Sequence, residues 1–260
     1  MNDKHRARRY AVLSGKGGVG KSVIAANLGA LFEAAGQRTL VVDADLGLAN
    51  LDVILGLYPS HTLHEVLCDT CTIEEAILTA PGGFDLLPAG TGLQDDTVLT
   101  GPMAEKLESL LAKLDNRYDA IVFDAGAGIG DVVMFFARAA HEILLVVTPE
   151  ATSLMDAYAT IKVLVSRYRR YAFRLIVNQA NPSNPDRSGY VVASHLQKIV
   201  QKFLMTAGGA PVTLQLAGCV PTDPTVARAI SHQRLLSELD PGAPSSVSLS
   251  RLAENVRAPA

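Results

Sequence analysis

The 260-residue chain carries only three cysteines, a formal net charge of just −3, and no apolar run approaching a membrane span, which needs ~20 residues. Three cysteines do not form a disulfide framework at this length and fit a reducing compartment. The small net charge gives no overall attraction to nucleic acid or anionic lipid, so either partner would need a local basic patch. The basic opening MNDKHRARRY runs straight into a short apolar stretch and a glycine-rich loop, without the apolar core and cleavage site of a secretory signal. Repeats and long low-complexity linkers are also missing. These absences lead to the expectation of a soluble, cytosolic protein.

What is present is enough apolar material, 48% of residues, for one full core. Short β-branched runs occur at 10–14, 38–45, 84–90, 119–126, 142–149, 173–179 and 213–221, several of them apolar almost throughout, as strands covered on both faces are. Helical patterns lie between them, at 21–35, 103–114, 151–168 and 190–207. This alternation predicts a three-layer α/β fold, a mostly parallel sheet with helices on both faces. The Pro/Gly/Ser-rich DPGAPSSVS at 240–248 reads as a flexible connection, dividing a domain of residues 1–240 from a short tail of residues 241–260.

The stretch GKGGVGKS, residues 15–22, matches the phosphate-loop pattern GxxxxGK[ST] directly after a predicted strand and directly before a predicted helix. Gly15, Gly17, Gly18 and Gly20, with Val19 among them, let backbone N–H groups turn toward a β-phosphate, and the following helix N-terminus favours the anion. Lys21 would bridge the β- and γ-phosphates and Ser22 would bind Mg²⁺. Asp124, ending the strand AIVFD before AGAGIG, is placed to support the magnesium shell. Asp43 and Asp45 alternate at the end of RTLVVDAD, where carboxylates can support the metal shell and orient an attacking water. The loop contains one lysine more than a phosphate site needs, Lys16.

With these stretches in place the chain resembles the MinD/ParA group of P-loop ATPases, whose variant loop KGGVGK[ST] is present as residues 16–22. VVDADLGLANLDVILGL, FDAGAGIG and TPEATSLMDAYATIKVL are most similar to the MinD-like regulators of flagellar number and placement, the FlhG/FleN type. The resemblance implies a slow, Mg²⁺-dependent ATPase with ATP as its nucleotide, monomeric with ADP and a homodimer with ATP. Lys16 would reach the partner subunit's phosphate, as an arginine finger does. Asp45 would orient the hydrolytic water, Asp43 would stand in the magnesium shell and Asp124 would be the second-switch carboxylate. Asn178 and the backbone around Pro221 and Asp223 would hold the adenine. The implied partners are a flagellar signal-recognition-type GTPase and flagellar switch or regulatory proteins, and the implied location is cytoplasmic, peripheral at the inner membrane face or cell pole. A ParA-like DNA-partitioning ATPase and a septum-site MinD are the alternative readings.

The sequence departs from the family pattern at two points. No DQAxxLR-like activator segment of a partner GTPase precedes the first strand, and Ala125 replaces the usual Thr or Ser after Asp124. In the tail, Val247, Leu249, Leu252 and Val256 have partly helical spacing with only Arg251 and Arg257 as cations, which suits either weak membrane contact or a helix packed on the core. His61, His64, Cys68 and Cys71 have a zinc-like spacing, but Leu63, Val66 and Leu67 mark the segment as the packed face of a short helix. The basic run SRYRRYAFR, 166–174, falls where a helix ends before a strand, a position that explains its cations and aromatics without DNA as a partner.

Overall fold

The computed structural model describes residues 6–45, 50–90, 101–204 and 210–258. In chain order the elements are β1 (Arg8–Ser14), α1 (Lys21–Ala34), β2 (Thr39–Ala44), α2 (Leu51–Leu55), α3 (Leu63–Leu67), α4 (Ile73–Ala76), β3 (Leu78–Thr79), β4 (Asp85–Leu87) and α5 (Gly101–Leu114). They continue with β5 (Ala120–Ala127), α6 (Asp131–Ala139), β6 (Glu142–Val147), α7 (Ala151–Tyr168), β7 (Ala172–Ala180), α8 (Pro185–Leu204), β8 (Thr213–Pro221), α9 (Pro224–Ser231), α10 (Leu236–Leu239) and α11 (Pro244–Arg257).

Among the described residues the strands form one sheet in the order β3-β4-β2-β5-β1-β6-β7-β8. Every pairing is parallel except that of the two-residue edge strand β3 with β4. All seven predicted strands are present. The period-2 geometry of a strand divides each between two cores. In β1, Ala11 and Leu13 face the core beneath α5, α6, α7 and α8, while Tyr10 and Val12 face the core beneath α1, α9 and α11. Ile24, Leu28 and Phe32, spaced four apart on α1, fill the second core.

The sequence missed several of the shortest elements. α2 and α4 have five and four residues, too few for a period of 3.6 to show, whereas α3 is the short helix expected from Leu63, Val66 and Leu67. α6 reads as an apolar run because Val133–Ala137 are all buried. α8 begins before the predicted 190, and the end predicted at 207 lies outside the described residues.

DPGAPSSVS is not a flexible connection in the structure, since it contains the first turn of α11. Ser245 and Ser246 resemble a linker in composition yet are buried, and Ser246 donates its hydroxyl to the Leu236 and Asp240 carbonyls. Leu249, Leu252 and Val256 pack inward with α1 and β8, so the apolar face of the tail is spent on the core in this state.

The basic run ends α7. Arg169 is its left-handed C-cap, Arg170 donates to the Ala140 and His141 carbonyls, and Arg174 is buried against Glu142. Leu63, Val66 and Leu67 are buried, while the Cys68 thiol stays near the His64 ring, 3.8 Å from Nε2. Among the described residues no His/Cys/Asp/Glu group has metal-site geometry and no helix is long and apolar enough to cross a membrane.

Candidate nucleotide site

The strand order reverses direction at β1, which lies between β5 and β6, and the loop after it opens at the carboxyl edge of the sheet. That is where an open α/β sheet leaves a crevice for a ligand. Gly20, the residue before α1, has φ 89°, which only glycine adopts without strain. A Cβ there would also sit 2.3 Å from Asn178 Nδ2. Gly15 is required for space alone: a Cβ would lie 2.2 Å from the Asp156 carbonyl carbon in α7. Gly17 meets nothing within 4 Å, and Val19 is buried.

Strands β1, β2 and β5 bring the remaining groups together. Lys21 is buried at the start of α1, and Ser22 beside it stands close enough to Asp124 on β5 to favour its charged form. Asp124 is 2% exposed, and its Oδ1 has no hydrogen-bond partner among the described residues. Burial pushes its carboxyl up to about 6, the Ser22 hydroxyl and the Lys21 charge pull it down, and Asp45 pushes it up again. Lone buried carboxylate oxygens are costly, so this donor set, one unpaired Oδ1 beside a serine hydroxyl, fits a hard divalent cation.

Asp43 and Asp124 are register partners across β2 and β5. Asp43 nevertheless faces the next segment: its oxygens accept from the backbone N–H groups of Asp45, Asn50 and Leu51 at 3.1, 3.1 and 3.2 Å. Those bonds cap α2, whose Asn50 makes no side-chain cap. Burial and then the Asp124 charge push Asp43 up, against the pull of the three amides. Asp45 approaches the second glycine segment, where a Cβ on Gly126 would come within 3.3 Å of its carboxyl carbon.

Lys16 points away from this centre. Its ammonium is ion-paired with Glu150, the N-cap of α7, and donates to Thr152 Oγ1 at 3.3 Å. The pair is partly exposed, 32% and 59%, so it holds a position and contributes little stability.

Beside the loop lies a cavity of about 310 Å³ bordered by Gly18, Gly20, Asn178, Pro221 and Asp223, mostly apolar as a base slot should be. Asn178 Nδ2 donates to the Val19 carbonyl at 2.7 Å, and Gln179, left-handed at φ 53°, donates to the Gly18 carbonyl at 3.4 Å. Both carboxylate oxygens of Asp223 are engaged, Oδ1 by Thr225 and Oδ2 by Ser245. Sequence reading missed Glu150, Thr152, Gln179 and Ser245. Glu150 and Thr152 lie in the quoted TPEATSLMDAYATIKVL, but each of the four acts through a contact far along the chain that no local pattern announces.

A family model described as an AAA domain matches residues 7–172. The chain is 37% identical to the antiactivator FleN of Pseudomonas aeruginosa over 98% of its length and 88% of that protein. It is 31% identical to the flagellum site-determining protein YlxH of Helicobacter pylori, over 97% of this chain and 83% of that one. Among solved structures, a MinD cell division protein of Aquifex aeolicus superposes with a TM-score of 0.77 at 26% identity, covering 98% of both chains. With its two-lysine loop, its carboxylate pair on β2 and β5 and these relatives, the chain belongs to the MinD/ParA family of P-loop ATPases, as a FleN-like member.

Proposed function

We propose that this protein is an ATP-operated dimerisation switch that regulates the number and placement of flagella. The observation that carries the switch is Lys16, a loop cation that serves no group at its own phosphate loop and is held aside by Glu150 and Thr152. In the proposed cycle the loop glycines and Lys21 bind the phosphates of ATP, and the base enters the slot beside Asn178 and the Pro221 backbone. Ser22 and Asp124 would hold Mg²⁺, which would supply charge neutralisation at the phosphates. Asp43 serves that region indirectly, by fixing the segment that carries Asp45.

Dimerisation exchanges the Lys16–Glu150 pair for a contact with the partner subunit's nucleotide, and Asp45 orients the attacking water. Such a cation in trans makes hydrolysis depend on assembly, because phosphoryl transfer is governed by positioning and charge. Hydrolysis then returns the monomer. The flagellar role is supported by the names of the two curated relatives, an antiactivator and a flagellum site-determining protein. A flagellar signal-recognition-type GTPase and switch or regulatory proteins are the proposed partners.

Light scattering after size exclusion tests the switch. ATP should convert the chain from monomer to dimer, and Lys16→Ala should stay monomeric while its ligand-free stability changes by less than about 0.5 kcal/mol. Dimerisation of Lys16→Ala equal to that of the parent chain would falsify the assignment. The flagellar role is tested by counting flagella in cells lacking the protein, and an unchanged number and position would remove it.

A further inference from the structure

The base-side wall of the cavity is built from parts far apart in sequence: the end of β8 with Pro221–Asp223, Val226 and Ile230 of α9, and Leu249 of α11. One side chain joins them. Asp223 Oδ1 accepts the Thr225 N–H at 2.8 Å and caps α9, while Oδ2 accepts the Ser245 N–H at 3.1 Å and the Ser245 hydroxyl at 2.7 Å in the first turn of α11. Two helix N-termini therefore share one carboxylate, each presenting unpaired amides and a favourable field to the anion. Burial alone would raise its pKa, but the Ser245 and Thr225 hydrogen bonds win and hold it down to about 2.

The rest of α11 is fastened along β8. Leu252 lies over Gly218, where a Cβ would come within 3.2 Å of it, and Asn255 Nδ2 donates to the Ala217 carbonyl at 3.0 Å. At the far end the carbonyls of Asn255 and Val256 accept from Arg174 at 2.6 and 3.2 Å.

We propose that Asp223 is a positioning residue and not a ligand of the base: its single carboxylate ties the base-side wall of the cavity to α11, so that filling the cavity and docking α11 on β8 are linked. The inference rests on the nucleotide reading above. Linkage is reciprocal: whatever nucleotide does to the docking of α11, loosening α11 does to nucleotide affinity by the same factor.

Hydrogen exchange by mass spectrometry on the full chain separates base from phosphate, using Mg-ADP against Mg-pyrophosphate. ADP should slow exchange both at residues 15–22 and along α11, whereas pyrophosphate should slow only the loop. In Asp223→Asn the acceptor for Thr225 survives and the one for Ser245 becomes a donor. Exchange in α11 should rise, and the ADP Kd should increase about three- to tenfold, the range expected for a lost cap, with the pyrophosphate Kd unchanged. General destabilisation would not split the two ligands.

If Asp223→Asn does not fold, Ser245→Ala, which removes the hydroxyl but keeps the peptide N–H, should show the same split at smaller size. The proposal is overturned if bound ADP leaves α11 exchange unaltered, if pyrophosphate protects α11 as well as ADP does, or if the variant weakens both ligands equally. Absence of any ADP binding by the parent chain would instead sink the nucleotide reading, and this inference with it.

Discussion

Replacing Asp124 by Asn should make the ligand-free protein more stable while abolishing its Mg-nucleotide chemistry. Asp124 is 2% exposed, its Oδ1 has no hydrogen-bond partner among the described residues, and Asp43 stands beside it on the neighbouring strand. Its carboxyl titrates near 6 in the folded chain against an ordinary 3.8, chiefly because burial disfavours the charge. A folded-state value above the unfolded one means that between these two pH values the native chain binds more protons than the unfolded chain, so stability falls as pH rises. Below 3.8 both states are protonated and the penalty vanishes; above about 6 it is complete.

A shift of that size, in which the Lys21 attraction is already included, corresponds to roughly 3 kcal/mol at neutral pH. Asn keeps the shape and an oxygen beside Ser22. Urea denaturation and thermal melts at pH 4.5 and 7.5 provide the assay. The expected outcome is a Tm about 5 °C above the parent at pH 7.5 and a much smaller gain at pH 4.5. A variant less stable than the parent at pH 7.5, or a gain identical at both pH values, would show that burial of this carboxylate is not a cost the fold carries for its ligand.

The two loop glycines with different surroundings should separate cleanly. Gly15→Ala, whose Cβ would run into the α7 backbone, should lose about 2–3 kcal/mol by chemical denaturation, and Gly17→Ala, with open space, less than about 1. Equal losses would refute the packing role of Gly15. Arg174→Ala strands Glu142 with a single remaining partner, Arg8, and should cost about 3 kcal/mol, while Arg167→Ala on the exposed end of α7 should cost under about 0.5. Matching losses, or salt-sensitive DNA binding that disappears in Arg167→Ala, would restore the surface reading of the basic run.

The parts of the site readable from sequence are those whose physics is local. Gly15 to Ser22 announces itself because the turn, the amides and the helix start all fall within eight residues. The strands carrying Asp43 and Asp124 were legible from their apolar runs, but their adjacency was not: the strand of Asp43 was expected beside β1, and β5 lies between the two, an order that local pattern does not declare. That Asp43 caps α2 was not legible, since a carboxylate gives no sign in sequence of which amides it will meet. Asp223 is the sharper case. The resemblance set it at the adenine; it borders the cavity beside the phosphate loop, and its side chain is engaged by Ser245, a residue that composition had assigned to a linker. Glu150 likewise gains meaning only because β6 delivers it next to Lys16.

The close approach of Gly15 to the α7 backbone has a mechanical meaning. Steel-on-steel contact, with no side chain between to absorb a displacement, makes the phosphate loop a bearing and α7 a lever resting on it. From Asp156 to Tyr168 the helix runs 12 residues further, about 18 Å. A tilt of about 5° at the loop end would carry the opposite end, with Arg167 and Arg169, through about 2 Å. Movements of the loop too small to change its own hydrogen bonds would thus arrive amplified at a surface remote from the nucleotide.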